Sequence, residues 1–246
     1  MAKKPKTPPP PKPQAPQRRG DPRTPRELEA RHRAILYWVA GAGIVALIAV
    51  VVLVAFGGGG GSGKSAGDKN VARLMAAAGC TYRTNKTVVP NGKTHIQKLT
   101  GDFHWTTSPP DGGAHYPAWA VWGFYTEAVN PRMVVHNEEH GGVILWWGPQ
   151  VPPATVSALH AFYNEQPDGT FGTPYKQLGS RIAITAWTGN PSHYQQNGDF
   201  GQGHIGTCPQ WNGATKKAFE AFRSAFRGHG PEGVPLSADE PGMGPQ

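Results

Sequence analysis

Residues 133–147 read MVVHNEEHGGVILWW and decide the fold, because a densely polar segment here joins two apolar ones. The apolar segments, Met133–His136 and Gly142–Trp147, are rich in Val, Ile and Trp and border on Gly or polar residues, so their composition predicts two strands. Arg181–Thr188 has a similar composition and predicts a third strand. We therefore expect a short mixed or antiparallel sheet, with the polar segment at a strand end.

Three helices are predicted around these strands. Val71–Ala78 places apolar side chains at the i, i+3, i+4 and i+7 positions of one helix face. The second helix follows Pro153 and ends before Pro167, and the third runs from a candidate cap at Asn212 to a stop at Gly228. The predicted fold class is therefore α+β, with about three helices in a single small domain.

Residues 70–230 form the region of the chain that is able to build a core, and about 160 residues suit a single domain. Within this region, residues 100–131 are dominated by Gly, Pro and aromatic residues, which predicts a long structured loop. Residues 231–246 are again rich in Pro, Gly and acidic side chains, and we expect them to be a disordered tail.

The two cysteines, Cys80 and Cys208, are expected to form a disulfide, because the domain is predicted to lie outside the cytoplasm. The alternative is a metal thiolate site in which Cys208 acts with His204, four residues earlier. The chain has no CxxC motif, which argues against thiol–disulfide exchange. Two cysteines also exclude a four-cysteine zinc or iron–sulfur site.

The polar segment contains an HxxEH motif in His136, Glu139 and His140. This is the zinc motif of inverted metalloproteases, whose chemistry requires both histidines on one turn of a helix. Two Val residues precede the motif here and two Gly residues follow it, so a helix would be only about one turn long. The sequence therefore does not favour a peptidase.

A strand end in the same segment would place His136, Glu138 and His140 on one side, because side chains alternate with a period of two. Two imidazoles and a carboxylate are half of a metal site, and His104 and His115 are candidates to complete it. An open coordination position would suit zinc or copper. The alternative is a buried polar network in which the same groups satisfy one another among the Trp side chains.

Three segments in order resemble a bacterial family, the domain of unknown function 3105. They are His115 in GGAHYP, Trp119–Tyr125 as WAVWGFY and Val135–Gly141 as VHNEEHG, and the likeness spans about residues 78–228. The chain departs from the family pattern by carrying Glu138 where Leu is usual, and by SPPDGGAH in place of a shorter segment. The resemblance implies a domain behind an N-terminal membrane anchor, and it implies no established reaction.

The N-terminal segments predict a membrane-anchored protein. Residues 1–33 carry ten Lys and Arg against three acidic residues among many Pro, which predicts a disordered cytoplasmic arm. Residues 34–56 contain no charge and would reach about 34 Å as a helix, enough to cross a bilayer core of about 30 Å. We expect an uncleaved transmembrane helix; a cleaved signal peptide, the alternative, has a shorter apolar region.

The linker that follows, residues 57–69, is rich in Gly and contains the spacing GxxxxGKS of a phosphate-binding loop. A strand-to-helix turn is needed to direct backbone amides at phosphates, and the preceding apolar run is too long for a strand. We therefore expect no nucleotide to bind. The net charge of +8 is concentrated in the arm, so we expect anionic lipid rather than nucleic acid as a partner.

Three functions are compatible with this organisation. The favoured one is a non-catalytic extracytoplasmic binding module on a single-pass membrane protein, with copper or zinc held by His115, His136 and His140. The second is a metal-dependent hydrolase of the cell envelope, in which Glu138 or Glu139 is the general base. The third is a scaffold that binds a protein partner, whose identity the sequence does not indicate.

Overall fold

The structure is a computed structural model that describes residues 66–101 and 105–245. These residues form a five-stranded mixed sheet with the strand order β1-β5-β4-β2-β3. Strands β2 and β3 pair in parallel, and the other three pairs are antiparallel. The strands are β1 (Thr81–Lys86), β2 (Val143–Trp147), β3 (Thr170–Pro174), β4 (Ile182–Thr188) and β5 (Gln202–Cys208).

Four α-helices accompany the sheet. They are α1 (Ala66–Ala77), α2 (Pro131–Glu139), α3 (Pro153–Glu165) and α4 (Gly213–Phe226). Helix α3 connects the parallel pair β2 and β3, as a crossover between parallel strands requires. The cap of α4 is the predicted one, because the Asn212 side chain accepts a hydrogen bond from the backbone N–H of Thr215.

Strand β2 is the centre of the core, because all five of its side chains are buried. Val143, Leu145 and Trp147 pack into the cluster that contains apolar residues of α1, α3 and α4. Ile144 and Trp146 point to the opposite face, where a second cluster contains residues of α2 and of the loop before it. Both faces of the sheet are thus covered, which is why β2 is a continuous apolar run rather than an alternating one.

The prediction of a strand at Met133–His136 is wrong, because these residues lie in α2. Asn130 caps this helix by accepting a hydrogen bond from the backbone N–H of Arg132, and Pro131 occupies its first turn. Val134 and Val135 favour strands when considered alone, but both are fully buried on the helix. Capping and packing outweigh the strand preference of these two residues.

The predicted fold class is also wrong in the number and kind of its helices. The domain is α+β, but it has four α-helices instead of about three. No transmembrane helix is found: none of the helices within residues 66–101 and 105–245 is long and apolar enough to cross a membrane. The predicted arm (1–33), the predicted span (34–56) and most of the predicted linker lie outside the described residues, and the last residues of that linker belong to α1.

The predicted disulfide is confirmed, since Cys80 and Cys208 are bonded and tie the start of β1 to the end of β5. The C-terminal stretch differs from the disordered tail that we predicted. Its backbone is bonded to the domain: the N–H of Trp122 donates to Met243 O at 2.8 Å, and the N–H of Gly169 donates to Asp239 O at 2.9 Å. These contacts hold residues 231–245 against the side of the domain that carries the histidines.

Candidate metal centre

The end of helix α2 supplies three of the polar side chains at the candidate site. His136 and Glu139 are one turn apart on the helix, and His140 is its C-terminal cap residue. The side chains of all three are at least nine-tenths buried. Because these residues form a helix, His136 and Glu139 lie on the same face. The strand that we predicted would have placed Glu138, and not Glu139, on the same side as His136.

Two further histidines come from the long connection between β1 and α2. The backbone N–H of His115 donates to Thr94 O at 2.7 Å, and the N–H of Ile96 donates to His115 O at 2.7 Å. This short parallel bridge places His95 directly beside His115, with ring centroids 4.9 Å apart. The bridge is a long-range contact, so His95 carries no local sequence signal for the site.

Three imidazoles surround one carboxylate oxygen. The Nε2 atoms of His95, His115 and His136 lie 3.4, 2.9 and 3.8 Å from Oε2 of Glu139. The four donor atoms all lie within 4.8 Å of one another. Tetrahedral ligands bound to zinc at about 2.0–2.1 Å are separated by about 3.3 Å. The spacing of these donors is therefore close to that of a metal coordination shell.

Backbone carbonyls orient two of the rings. Nδ1 of His115 lies 2.8 Å from Gly113 O, and Nδ1 of His136 lies 3.0 Å from Tyr116 O. Because a carbonyl only accepts hydrogen bonds, each Nδ1 must carry a proton. In a neutral ring, Nε2 then has the free lone pair and faces the cluster. A hydrogen bond from the other ring nitrogen is the usual way in which a metal-binding His is held.

The surroundings of the Nε2 atom of His115 favour a cation in this cluster. The side chain is fully buried, and within residues 66–101 and 105–245 its Nε2 atom makes no aligned hydrogen bond, although Glu139 Oε2 is 2.9 Å away. With Nδ1 protonated, a neutral His115 would direct a lone pair at a carboxylate, which is repulsive. A cation between the two atoms, or a second proton on the ring, removes this repulsion.

The site favours the protonation states in which these residues bind metals. Burial raises the pKa of Glu139, but the adjacent imidazole of His115, together with a hydrogen bond from the Tyr194 hydroxyl, lowers it by more, to about 2. Burial and the neighbouring His115 lower the pKa of His136 to about 4. At neutral pH, Glu139 is therefore an anion and His136 is a neutral imidazole.

One side of the cluster is open to solvent. The side chain of His95 is 42% exposed, whereas those of His115 and Glu139 are fully buried. A metal ion would therefore have an entry path past His95, and the other donors lie in a desolvated environment, in which their attraction to a cation would be stronger.

A second group of donors adjoins the first. It consists of His136, His140 and Glu232, whose donor atoms also lie within 4.8 Å of one another. Nε2 of His140 is 3.6 Å from a carboxylate oxygen of Glu232, and Nδ1 of His140 is 3.3 Å from Oδ1 of the buried Asp239. Both acidic residues belong to the C-terminal stretch.

A close approach of two backbones brings Glu232 to this position. The N–H of Glu232 donates to Glu139 O at 3.3 Å, and the N–H of Gly228 donates to Gly141 O at 2.9 Å. A Cβ atom on Gly230 would lie only 2.2 Å from Gly141 N. Glycine is therefore required at Gly230 if the chain is to pass this close to the end of α2.

The structure brings together three of the five residues that the sequence proposes as metal ligands: His115, His136 and His140. His104 lies outside the described residues. Glu138 faces away from the cluster, where the hydroxyl of Thr185 donates to its Oε1 at 2.5 Å, because the helix turns it toward the sheet. The sequence analysis considers Glu139 only in the HxxEH motif and as a general base, whereas a helix period would have selected it as a ligand. It misses His95 and Glu232, which only long-range packing brings here.

Comparison with known proteins identifies a family but adds no function. Residues 95–233 match the family described as "Protein of unknown function (DUF3105)", and this match covers all six donors of the two groups. No curated protein and no solved structure matches the chain. The matched region is more than half of the chain, so the protein belongs to the DUF3105 family, whose function is unknown.

Proposed function

We propose that this domain binds a divalent transition-metal ion, zinc or copper, through His95, His115, His136 and Glu139. The observation that carries the proposal is the convergence of three Nε2 atoms on one carboxylate oxygen at 2.9–3.8 Å in a largely buried site. A purely structural polar network is a poorer explanation, because it needs a second proton on His115 and so a charged His115–Glu139 pair in a fully buried position, which is costly to desolvate.

The donor types indicate which ions fit. Three imidazoles and a carboxylate suit zinc and Cu(II), whereas magnesium and calcium prefer oxygen donors. Both cysteines are in the disulfide, so no thiolate is available to favour Cu(I). We therefore infer a site for Zn²⁺ or Cu²⁺, and parallel titrations with the two ions distinguish them.

A metal-dependent hydrolase is the alternative, and α2 provides one observation in its favour. The HxxEH motif does lie at a helix end, with His136 and His140 one turn apart, so our objection to that motif fails. Oε2 of Glu139, however, lies 2.9–3.8 Å from three imidazole nitrogens, which is the position of a shared ligand atom and not that of a base directed at a water molecule. We infer that Glu139 is a ligand and not a base.

The test is metal binding by the purified protein. We expect elemental analysis to find stoichiometric zinc or copper. Mutation of a residue that only orients a ligand typically lowers metal affinity by roughly 10- to 100-fold, and Glu139→Gln should lower it by more. His193→Gln, at an exposed histidine of the loop between β4 and β5, is the control and should bind normally.

Two results would contradict the proposal. One is wild-type protein that takes up neither ion. The other is a Glu139→Gln variant that retains the metal with undiminished affinity; if it also lost turnover of a substrate, that result would favour the hydrolase.

A further inference from the structure

We propose that the group formed by His136, His140 and Glu232 binds a second divalent ion next to the first, so that the centre is dinuclear. This inference rests on the proposed function, because it adds an ion to the same cluster. It goes beyond that function by assigning a role to the C-terminal stretch and to a histidine that a single ion would not use.

The six donor residues can be divided into two sets of three, one set for each ion. His136 has one nitrogen available, because its Nδ1 is bonded to Tyr116 O, and one nitrogen serves one ion. With both ions present, His136 joins His140 and Glu232 on the second ion, and the first ion retains His95, His115 and Glu139. Three protein ligands per ion leave positions for water or for a bridging oxygen ligand, as in other two-metal centres.

The second set is built in the same way as the first. Asp239 is fully buried and lies 3.3 Å from Nδ1 of His140, so it can hold the proton on that atom and leave the lone pair on Nε2. That Nε2 atom faces Glu232 at 3.6 Å, which is too long for a hydrogen bond but suitable for two ligands of one ion. A carboxylate behind a metal-binding His is a recurrent arrangement.

Charge also supports a second ion. Three carboxyl groups, those of Glu139, Glu232 and Asp239, lie among four histidines in a small volume. Two divalent ions would neutralise this group, and a single ion would do so only in part.

The distances allow the two ions to be near neighbours. His136 belongs to both groups, and the donors within each group lie no more than 4.8 Å apart. Ions of two-metal sites are separated by about 3.5–4 Å. Because the second ion takes His136 from the first, we expect it to bind more weakly and to appear only at higher metal concentration.

The experiment is a titration of the purified full-length protein with Cu²⁺, read by elemental analysis and by electron paramagnetic resonance. We expect two ions per chain in the wild type, with a resonance intensity well below the copper content because neighbouring Cu²⁺ ions couple. Glu232→Gln should bind one ion and give an intensity equal to its copper content. Glu240→Gln, an exposed residue of the same stretch, is the matched control and should bind two.

The two proposals fail in distinguishable ways. Wild-type protein that binds neither Cu²⁺ nor, in a parallel titration, Zn²⁺ overturns both of them. Wild-type protein that saturates at one ion with full resonance intensity overturns the dinuclear centre alone, and so does a Glu232→Gln variant that still binds two. His140→Ala provides an independent check, because it should also bind one ion and its loss leaves the first set of donors complete.

Discussion

Glu138 and Glu139 are sequence neighbours on α2 whose carboxyl groups have opposite surroundings. Glu139 is held as an anion by His115 and Tyr194, whereas burial, with a smaller contribution from the charge of Asp111, raises the pKa of Glu138 well above its ordinary value. The hydrogen bond from Thr185 opposes this shift but does not cancel it. Glu138 is therefore a neutral acid at pH values at which most glutamates are ionised.

The raised pKa of Glu138 predicts a pH dependence of stability. The unfolded chain loses this proton near its ordinary pKa of 4.5 while the folded chain keeps it, so the stability that it contributes is present at low pH and lost as the pH rises above that value. Glu138→Gln preserves the shape and the acceptor for Thr185, and should abolish this loss.

Denaturant unfolding of the metal-free protein at about pH 5 and about pH 8 tests this. The variant should gain stability relative to the wild type at the higher pH, whereas Glu240→Gln at an exposed carboxylate should not. Equal pH dependence in the wild type and in Glu138→Gln would show that the acid is ionised in the folded protein.

Gly230 lies where a larger side chain would not fit. A Cβ atom there would meet Gly141 N at 2.2 Å and Glu139 O at 2.4 Å, and backbone atoms cannot give way as the end of a side chain can. We expect Gly230→Ala to cost about 1–3 kcal/mol of unfolding free energy, as overpacking does, and to weaken the second metal ion by moving Glu232.

The matched control for Gly230→Ala is Gly213→Ala, at the first residue of α4. A Cβ atom on Gly213 meets nothing within 4 Å, and Ala is the better helix former. This control should not lose stability. If both variants are equally stable, the C-terminal stretch does not pack against α2 as described.

Among the elements, β2, β4 and three of the helices are predictable because their signal is local: apolar composition for the strands, and spacing with caps for the helices. Helix α2 is the exception, since two adjacent Val residues suggest a strand while the pair Asn130–Pro131 marks a helix start. That single error moves the predicted ligand from Glu139 to Glu138. His95 and Glu232 require pairing across long stretches of chain, which no local pattern encodes.

The disulfide predicts a stability effect at the element scale. It joins β1 to β5 across a sequence separation of 128 residues, and the chain-entropy relation gives about 5 kcal/mol for a loop of this length. A Cys80→Ala, Cys208→Ala double variant should lose an amount of this order in denaturant unfolding. Reduced wild-type protein should behave like the variant, and unchanged stability in both would contradict the prediction. Location outside the cytoplasm stays a prediction, which such a disulfide supports.

For the molecule as a whole, the Gly residues next to the histidines, such as Gly141 and Gly230, have a structural reason. The candidate site takes donors from α2, from the connection before it and from the C-terminal stretch. Where the C-terminal stretch passes the end of α2, the two backbones lie so close together that only Gly fits between them. Only folding of residues 95–232 into one unit assembles the six donors. Binding of metal and stability of the whole domain should therefore be coupled.

This coupling predicts a thermal shift that distinguishes two neighbouring residues. An ion that binds only the folded state adds about 2.7 kcal/mol to stability at a concentration 100 times its Kd, so Zn²⁺ or Cu²⁺ should raise the Tm of the wild type and a chelator should reverse the rise. Glu139→Gln removes the carboxylate on which three imidazoles converge and should abolish most of the shift. Glu138→Gln makes the same chemical change one residue earlier, on the side of α2 that faces the sheet, and should retain the shift in full. Equal shifts in the two variants would mean that the ion binds elsewhere on the protein, because α2 directs only one of these two carboxyl groups into the cluster.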